Sequence, residues 1–319
     1  MVDLYPLRGP IQEGHLEVSS ENRIAWQVFG VPHGKPAVVL HGGPGQGCAP
    51  NMARAFDPEQ YRVVLFDQRG CGRSIPSASD LATDMSCNTT DHLIADMESL
   101  RRHLGIERWL VSGASWGVAL ALAYAHRHRE SVSELVLSNV TTWTRREAEW
   151  LYAGAARFFP EAWEQFRGPL PNTARGADLI EAYAQRMDHP EEAVRVAAAR
   201  GWCKWEDAVL SLETGAGAAS SSEMPVEDML AFVRICTHYL RHGGWLEEGA
   251  LIQNAARLDG IPGVVIHGRR DMSCPIDTAW ALARAWAGAE LIAVDDAGHL
   301  RSNSKRLALM SALDRFATG

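Results

Sequence analysis

Trp109-Leu110-Val111-Ser112-Gly113-Ala114-Ser115-Trp116-Gly117-Val118-Ala119-Leu120-Ala121-Leu122-Ala123-Tyr124-Ala125 reads as a short apolar strand, a tight turn and an Ala/Leu-rich helix. The turn carries the pattern Gly-x-Ser-x-Gly. A serine at such a turn sits in a strained backbone conformation with its hydroxyl presented outward, and a Cβ at either flanking glycine would clash across the turn. Ser115 is therefore the candidate covalent nucleophile. The pattern alone is short, and a purely structural turn is the competing reading. The strand before it and the helix after it favour the nucleophile.

The same alternation extends on both sides. Arg23–Gly30, Ala37–Leu40 and Arg62–Phe66 read as strands, the last two as continuous apolar runs suited to a parallel sheet covered on both faces. Asn88-Thr89-Thr90-Asp91 offers N-cap residues for a helix of about fifteen residues ending near Leu104, with Gly105 fit for the C′ position. Leu135-Val136-Leu137 is a further strand. From Thr141 to Trp245 strand signals vanish, and Ala, Glu, Arg and Trp recur at helical spacing, broken by Pro160, Gly168-Pro169, Pro190 and the run Gly215 to Ser222. Alternation then resumes with the strand Gly263–His267, a helix after Pro275, the strand Leu291–Val294 and a helix over Ser304–Phe316. The expected fold is α/β: a mostly parallel, doubly wound sheet formed by residues 1–140 and 246–319, with residues 141–245 inserted as a helical cap.

Composition limits the function. The chain has 319 residues, enough for a large core, with a formal net charge of −8. Lys and Arg form no stripe, which argues against nucleic acid as a partner. No apolar stretch is long enough for a membrane span and no signal sequence is evident, so a cytoplasmic location is expected. The six cysteines show no metal-ligand spacing, and free thiols in a reducing compartment are the simplest reading; neither a metal nor a cofactor is expected. Six of the eleven tryptophans lie between Trp143 and Trp245. They suit either an aromatic pocket or helix packing.

A serine nucleophile needs an imidazole base, and the base needs a carboxylate to orient it. Asp271 follows the strand ending at Gly268, and His299 follows the last strand, in the order Ser, Asp, His along the chain. Asp295 and Asp296 compete for the acid role but share the histidine's own loop. A tetrahedral intermediate also needs fixed N–H groups facing its oxyanion. Trp116, directly after the nucleophile, is one candidate donor. Gly43, in the loop His41-Gly42-Gly43-Pro44-Gly45-Gln46-Gly47, is the other. That loop lacks the Lys-Ser/Thr ending of a phosphate-binding loop. His41 is assigned a structural role, its ring bonding loop backbone.

His41-Gly42-Gly43-Pro44-Gly45, Asp67-Gln68-Arg69-Gly70-Cys71-Gly72-Arg73-Ser74 and Gly113-x-Ser115-Trp116-Gly117 closely resemble the prolyl iminopeptidases. The likeness runs almost the whole chain, through Asn88-Thr89-Thr90, Trp205-Glu206 and Asp271-x-x-Cys274-Pro275. It implies an α/β-hydrolase core with a helical cap, no cofactor, and removal of N-terminal proline from short peptides through an acyl-enzyme. The family's triad falls on Ser115, Asp271 and His299. Its amine-binding cap glutamates match Glu206 and the position of Cys236. There the family reads Arg-Ile-Glu-Asn-His-Tyr-Phe, and this chain reads Arg234-Ile235-Cys236-Thr237-His238-Tyr239-Leu240. Thr141 and Leu240 stand where the family has phenylalanines, whereas Tyr152 and Cys274 are retained.

These departures leave two readings of the substrate. One is a small peptide with a free N-terminal, proline-like residue. The other is a different small acyl amide, ester or thioester. Glu227 or Asp228 is an alternative source of a second carboxylate, and Glu206 could instead be a surface acid paired with Lys204 or Arg200. Cys274 reads as a pocket-wall thiol or as a small buried hydrophobe.

Overall fold

The computed structural model describes residues 4–168, 177–213, 224–300 and 302–318. Among these residues eight strands form one sheet: β1 (Gln12–Glu17), β2 (Arg23–Gly30), β3 (Lys35–Leu40), β4 (Tyr61–Phe66), β5 (Trp109–Ser115), β6 (Val132–Val140), β7 (Gly263–Gly268) and β8 (Ala289–Val294). Their spatial order is β1-β2-β4-β3-β5-β6-β7-β8. From β4 to β8 the pairings are parallel, while β1–β2 and β2–β4 are antiparallel. The strand β1 has no counterpart in the sequence reading. It lies at the edge of the sheet, is mostly exposed and carries little apolar alternation, so its pairing with β2 rather than its composition makes it a strand.

Among the described residues ten α-helices accompany the sheet: α1 (Thr90–His103), α2 (Trp116–Arg127), α3 (Arg145–Tyr152), α4 (Pro160–Arg167), α5 (Ala177–Met187), α6 (Glu192–Leu210), α7 (Val226–Arg241), α8 (Ala250–Gln253), α9 (Ile276–Ala285) and α10 (Asn303–Ala317). Strand residues divide by pleat. Val38, Val64, Val111, Leu137 and Val265 pack with α1, α2 and α9 on one face. Ala37, Val63, Leu110, Val136 and Val264 pack with α10 on the other. This two-sided burial explains the near-continuous apolar runs of the central strands. Helix α2 is buried along Trp116–Ala125, which accounts for its lack of a polar face. The Thr89 hydroxyl caps α1 by accepting from the His92 N–H, and Gly105 beyond its end has φ +64°.

Between β6 and α8 the described residues form no strand. Helices α3 to α7 share a separate apolar cluster built on Tyr152, Phe166, Tyr183, Trp202, Trp205 and Phe232. Phe166 stacks on both Tyr183 and Trp205, and Trp163 packs edge-on against Trp205. Trp163, Trp202 and Trp205 thus pack these helices on each other, whereas Trp143 and Trp245 pack against the main core. The Gly215–Ser222 connection lies outside the described residues.

Candidate active site

Ser115 ends β5 and precedes α2 with φ 55° and ψ −124°, outside the regions a serine ordinarily occupies. Close packing imposes this geometry. A Cβ on Gly117 would lie 2.2 Å from the Leu40 carbonyl oxygen, and one on Gly113 would lie 2.4 Å from that of Gly117. The Ser115 turn is therefore pressed against the end of β3, where the glycine loop begins. Gly43 in that loop has φ +110°.

Asp271 and His299, 28 residues apart, meet at the carboxyl edge of the sheet. His299 Nδ1 lies 2.9 Å from Asp271 Oδ2. The other carboxylate oxygen accepts the Cys274 N–H at 2.7 Å. Burial opposes the charge on Asp271, but His299 and His267 beside it and the Cys274 N–H hold its pKa below the ordinary carboxylate value. The rival acids lie elsewhere: exposed Asp295 pairs with Arg269, and Asp296 accepts from Ser304.

Ser115 and His299 line one cavity of about 870 Å³, together with Gly43, Thr141, Tyr152, Glu206, Leu240 and Cys274. Glu206 is only partly covered, and its open surface faces this cavity. It is not paired with Lys204 or Arg200. Its Oε1 accepts from Tyr152 Oη at 2.9 Å and from Trp202 Nε1 at 2.8 Å. Burial nevertheless pushes the Glu206 carboxyl up to about 7, since neither neighbour carries a positive charge.

The chain matches the family described as alpha/beta hydrolase fold over residues 35–301. It is 45% identical to a probable proline iminopeptidase of Streptomyces coelicolor over 322 residues, which cover 100% of this chain and 99% of that one. It is 46% identical to a proline iminopeptidase of Xylella fastidiosa, covering 99% and 100%. The chain belongs to the proline iminopeptidase family of α/β hydrolases. It is a hydrolase. A solved proline iminopeptidase of Mycobacterium smegmatis, 20% identical, superposes with a TM-score of 0.62 over 96% of this chain and 99% of that one, a likeness of fold.

Within this proline iminopeptidase scaffold Cys236 stands apart from the other anticipated pocket residues. It is buried on α7, is absent from the cavity wall, and its thiol bonds the Pro44 carbonyl at 3.3 Å. Glu227 and Asp228 are exposed on the first turn of α7 and do not line the cavity. Glu147, Glu149, Glu181 and Glu248 do line it, with Arg145 and Arg241. Glu147 is taken up by local structure, capping α3 through Thr144 and accepting from Thr142.

Sequence reasoning missed several supporting residues. The His267 ring accepts the Val140 N–H at Nδ1, so its Nε2 carries the proton and donates to the Cys274 carbonyl at 2.7 Å. This fixes the loop that carries Asp271. Buried Lys305 on α10 donates to Asn139 Oδ1 at 2.6 Å and to the His299 carbonyl at 2.8 Å. Asn139 Nδ2 reaches the same carbonyl at 2.7 Å. One of twelve histidines and one basic residue in a terminal helix carry no local signal of such roles. The positive φ of Asn139 is likewise invisible in sequence.

Proposed function

We propose that this hydrolase removes an N-terminal aminoacyl residue, proline foremost, from short peptides through an acyl-enzyme on Ser115. The observation that carries the reading is one cavity holding Ser115, His299 and the carboxylate of Glu206, with Asp271 bonded behind the imidazole. Asp271 accepts the Nδ1–H of His299, which leaves Nε2 as the base. Ser115 loses its proton to His299 as Oγ attacks the scissile carbonyl. The N–H groups of Gly43 and Trp116 face the oxyanion. His299 then protonates the leaving amine, and water repeats the sequence in reverse to free the acyl group.

Glu206 is assigned to the substrate's ammonium, with Tyr152 orienting the carboxylate and Thr141, Leu240 and Cys274 forming the wall around the acyl group. Residues 141–245 act as the cap over residues 1–140 and 246–319, in keeping with the separate apolar cluster of α3 to α7. The free state of the six cysteines supports a reducing, cytoplasmic compartment.

A second reading is favoured by Cys236. Its thiol turns to Pro44 and leaves Glu206 as the carboxylate beside the acyl wall, a weaker hold on an ammonium than a pair of acids. On this reading a small acyl amide, ester or thioester without a free amine is also turned over. A panel of aminoacyl arylamides and p-nitrophenyl esters, each with a free and a blocked α-amine, separates the two. The first reading expects kcat/KM to collapse on blocking. Equal turnover of blocked and free substrates would refute it and leave the second.

A further inference from the structure

Asp67-Gln68-Arg69-Gly70 follows β4, and its glutamine is assigned no part in the site by the preceding chemistry. Gln68 is buried, and every polar group on its side chain is engaged. Its Oε1 accepts the indole Nε1–H of Trp116 at 2.9 Å, and its Nε2 donates to the His41 carbonyl at 3.1 Å. Its backbone N–H donates to His41 Nε2 at 3.1 Å, and the His41 ring therefore carries its proton on Nδ1 and donates to the Gly42 carbonyl at 3.0 Å. Burial lowers the pKa of His41, in keeping with this neutral ring. The orientation of the carboxamide is not in doubt chemically: an indole N–H only donates and a carbonyl only accepts, so a flipped amide would lose both bonds.

These bonds join the two chain segments that carry the oxyanion donors. Trp116 is the first residue of α2, and His41-Gly42-Gly43 is the start of the glycine loop. The segments are already in contact, since a Cβ on Gly42 would fall 3.3 Å from Ser115 Cβ. We propose that Gln68 is a positioning residue that sets the separation of the Gly43 and Trp116 N–H groups, clamping the oxyanion hole through its two-ended carboxamide. The inference rests on the reading of Ser115 as nucleophile. Preorganised donors work because they need not move when charge develops, and their effect falls steeply with misplacement. Gln68 touches no substrate and acts only through Trp116 and His41.

The test uses the full-length enzyme and three variants. Gln68→Met removes both side-chain bonds at similar volume. Gln68→Glu keeps an acceptor for Trp116 but sets a carboxylate oxygen against the His41 carbonyl. Trp116→Phe keeps an aromatic ring in place and removes the Nε1–H together with part of the indole, and it leaves Gln68 intact, which covers the case in which a Gln68 variant fails to fold. Two ligands are compared: an aminoboronic acid, which adds to Ser115 as a tetrahedral anion, and pyrrolidine, the cyclic amine without a carboxyl group, which has no oxygen to place in the oxyanion hole. Each variant is expected to lower kcat by roughly 10–100-fold. The boronate should weaken by the same factor, and pyrrolidine affinity should stay within about twofold, because the amine makes no use of the oxyanion hole. Equal weakening of both ligands, or unchanged kcat in Gln68→Met and Trp116→Phe, overturns the clamp. Failure of a fluorophosphonate to label Ser115 in the unmutated enzyme overturns instead the nucleophile assignment on which the clamp depends.

Discussion

The hydroxyl of Tyr152 donates to Glu206 Oε1 across 54 residues of chain, tying α3 to α6 inside the cavity that Ser115 faces. Trp202, one turn before Glu206 on α6, donates to the same oxygen. Among the described residues this carboxylate has two neutral donors and no ion pair, in keeping with the ammonium proposed for it. Glu206→Gln keeps an oxygen for Tyr152 and Trp202 and loses the charge. It is expected to raise KM for unblocked aminoacyl arylamides by about 10–100-fold, the worth of a charged hydrogen bond, while kcat and the turnover of amine-blocked esters change little. Steady-state kinetics on both substrate types checks this; an equal loss on each would remove Glu206 from amine recognition.

The raised pKa of Glu206, about 7, gives that binding a pH dependence. Below 7 the carboxyl is neutral and cannot pair with an ammonium, so KM for free-amine substrates rises as pH falls through 7. Stability carries the opposite sign. The folded state holds this proton to a higher pH than the unfolded state, so the acid costs stability as pH rises from about 4.5 to 7, and the full cost stands above 7. Glu206→Gln should therefore raise Tm at pH 8 and leave it nearly unchanged at pH 4.5. Thermal unfolding at the two pH values reads the difference, and equal shifts would contradict the burial account.

Asp271 Oδ2 lies 2.9 Å from His299 Nδ1, and the proposed mechanism has it orient the imidazole. Asp271→Asn should lower kcat on the order of 10³–10⁴-fold with KM little changed, because the amide selects the wrong imidazole tautomer. A loss below about tenfold would mean that another group orients the base.

Cys236 is turned to Pro44. If the lack of a second acid at position 236 limits amine binding, Cys236→Glu should lower KM for proline arylamide and leave blocked esters unaffected. The variant's kinetics on the two substrates decide it. No change in either would show that position 236 has no bearing on the amine.

Gly117 has no room for a side chain, with the Leu40 carbonyl 2.2 Å from its would-be Cβ. Gly117→Ala should cost about 3 kcal/mol of unfolding free energy, since backbone rather than a flexible side chain must move. Urea denaturation measures it, and a loss under about 0.5 kcal/mol would contradict the packing described for the Ser115 turn.

Most of the fold was legible because its signals are local. Val63, Val64 and Leu65 face both sides of a covered sheet and so read as an unbroken apolar run, and Thr89 and Gly105 mark the ends of α1 by their own chemistry. Strand β1 was not legible, because an exposed edge strand owes its form to its partner. In the candidate site Ser115, Asp271 and His299 stood out through motif and chain order. His267, Lys305, Asn139 and Gln68 did not, since each acts through hydrogen bonds that include a partner 27 to 166 positions away.

Sequence by itself determined the chemistry on offer: a serine at a glycine-flanked turn, an acid and a histidine after later strands, and a glycine loop after a buried strand. Those assignments follow from local backbone demands and the order of elements along a sheet. Only the tertiary structure decided the state of each group. It turned Cys236 away to Pro44 and set Glu206 in a cavity wall where, among the described residues, no cation is bonded to its carboxylate. Desolvation and hydrogen bonding depend on which distant residues share a space, and no run of neighbours in the chain records that.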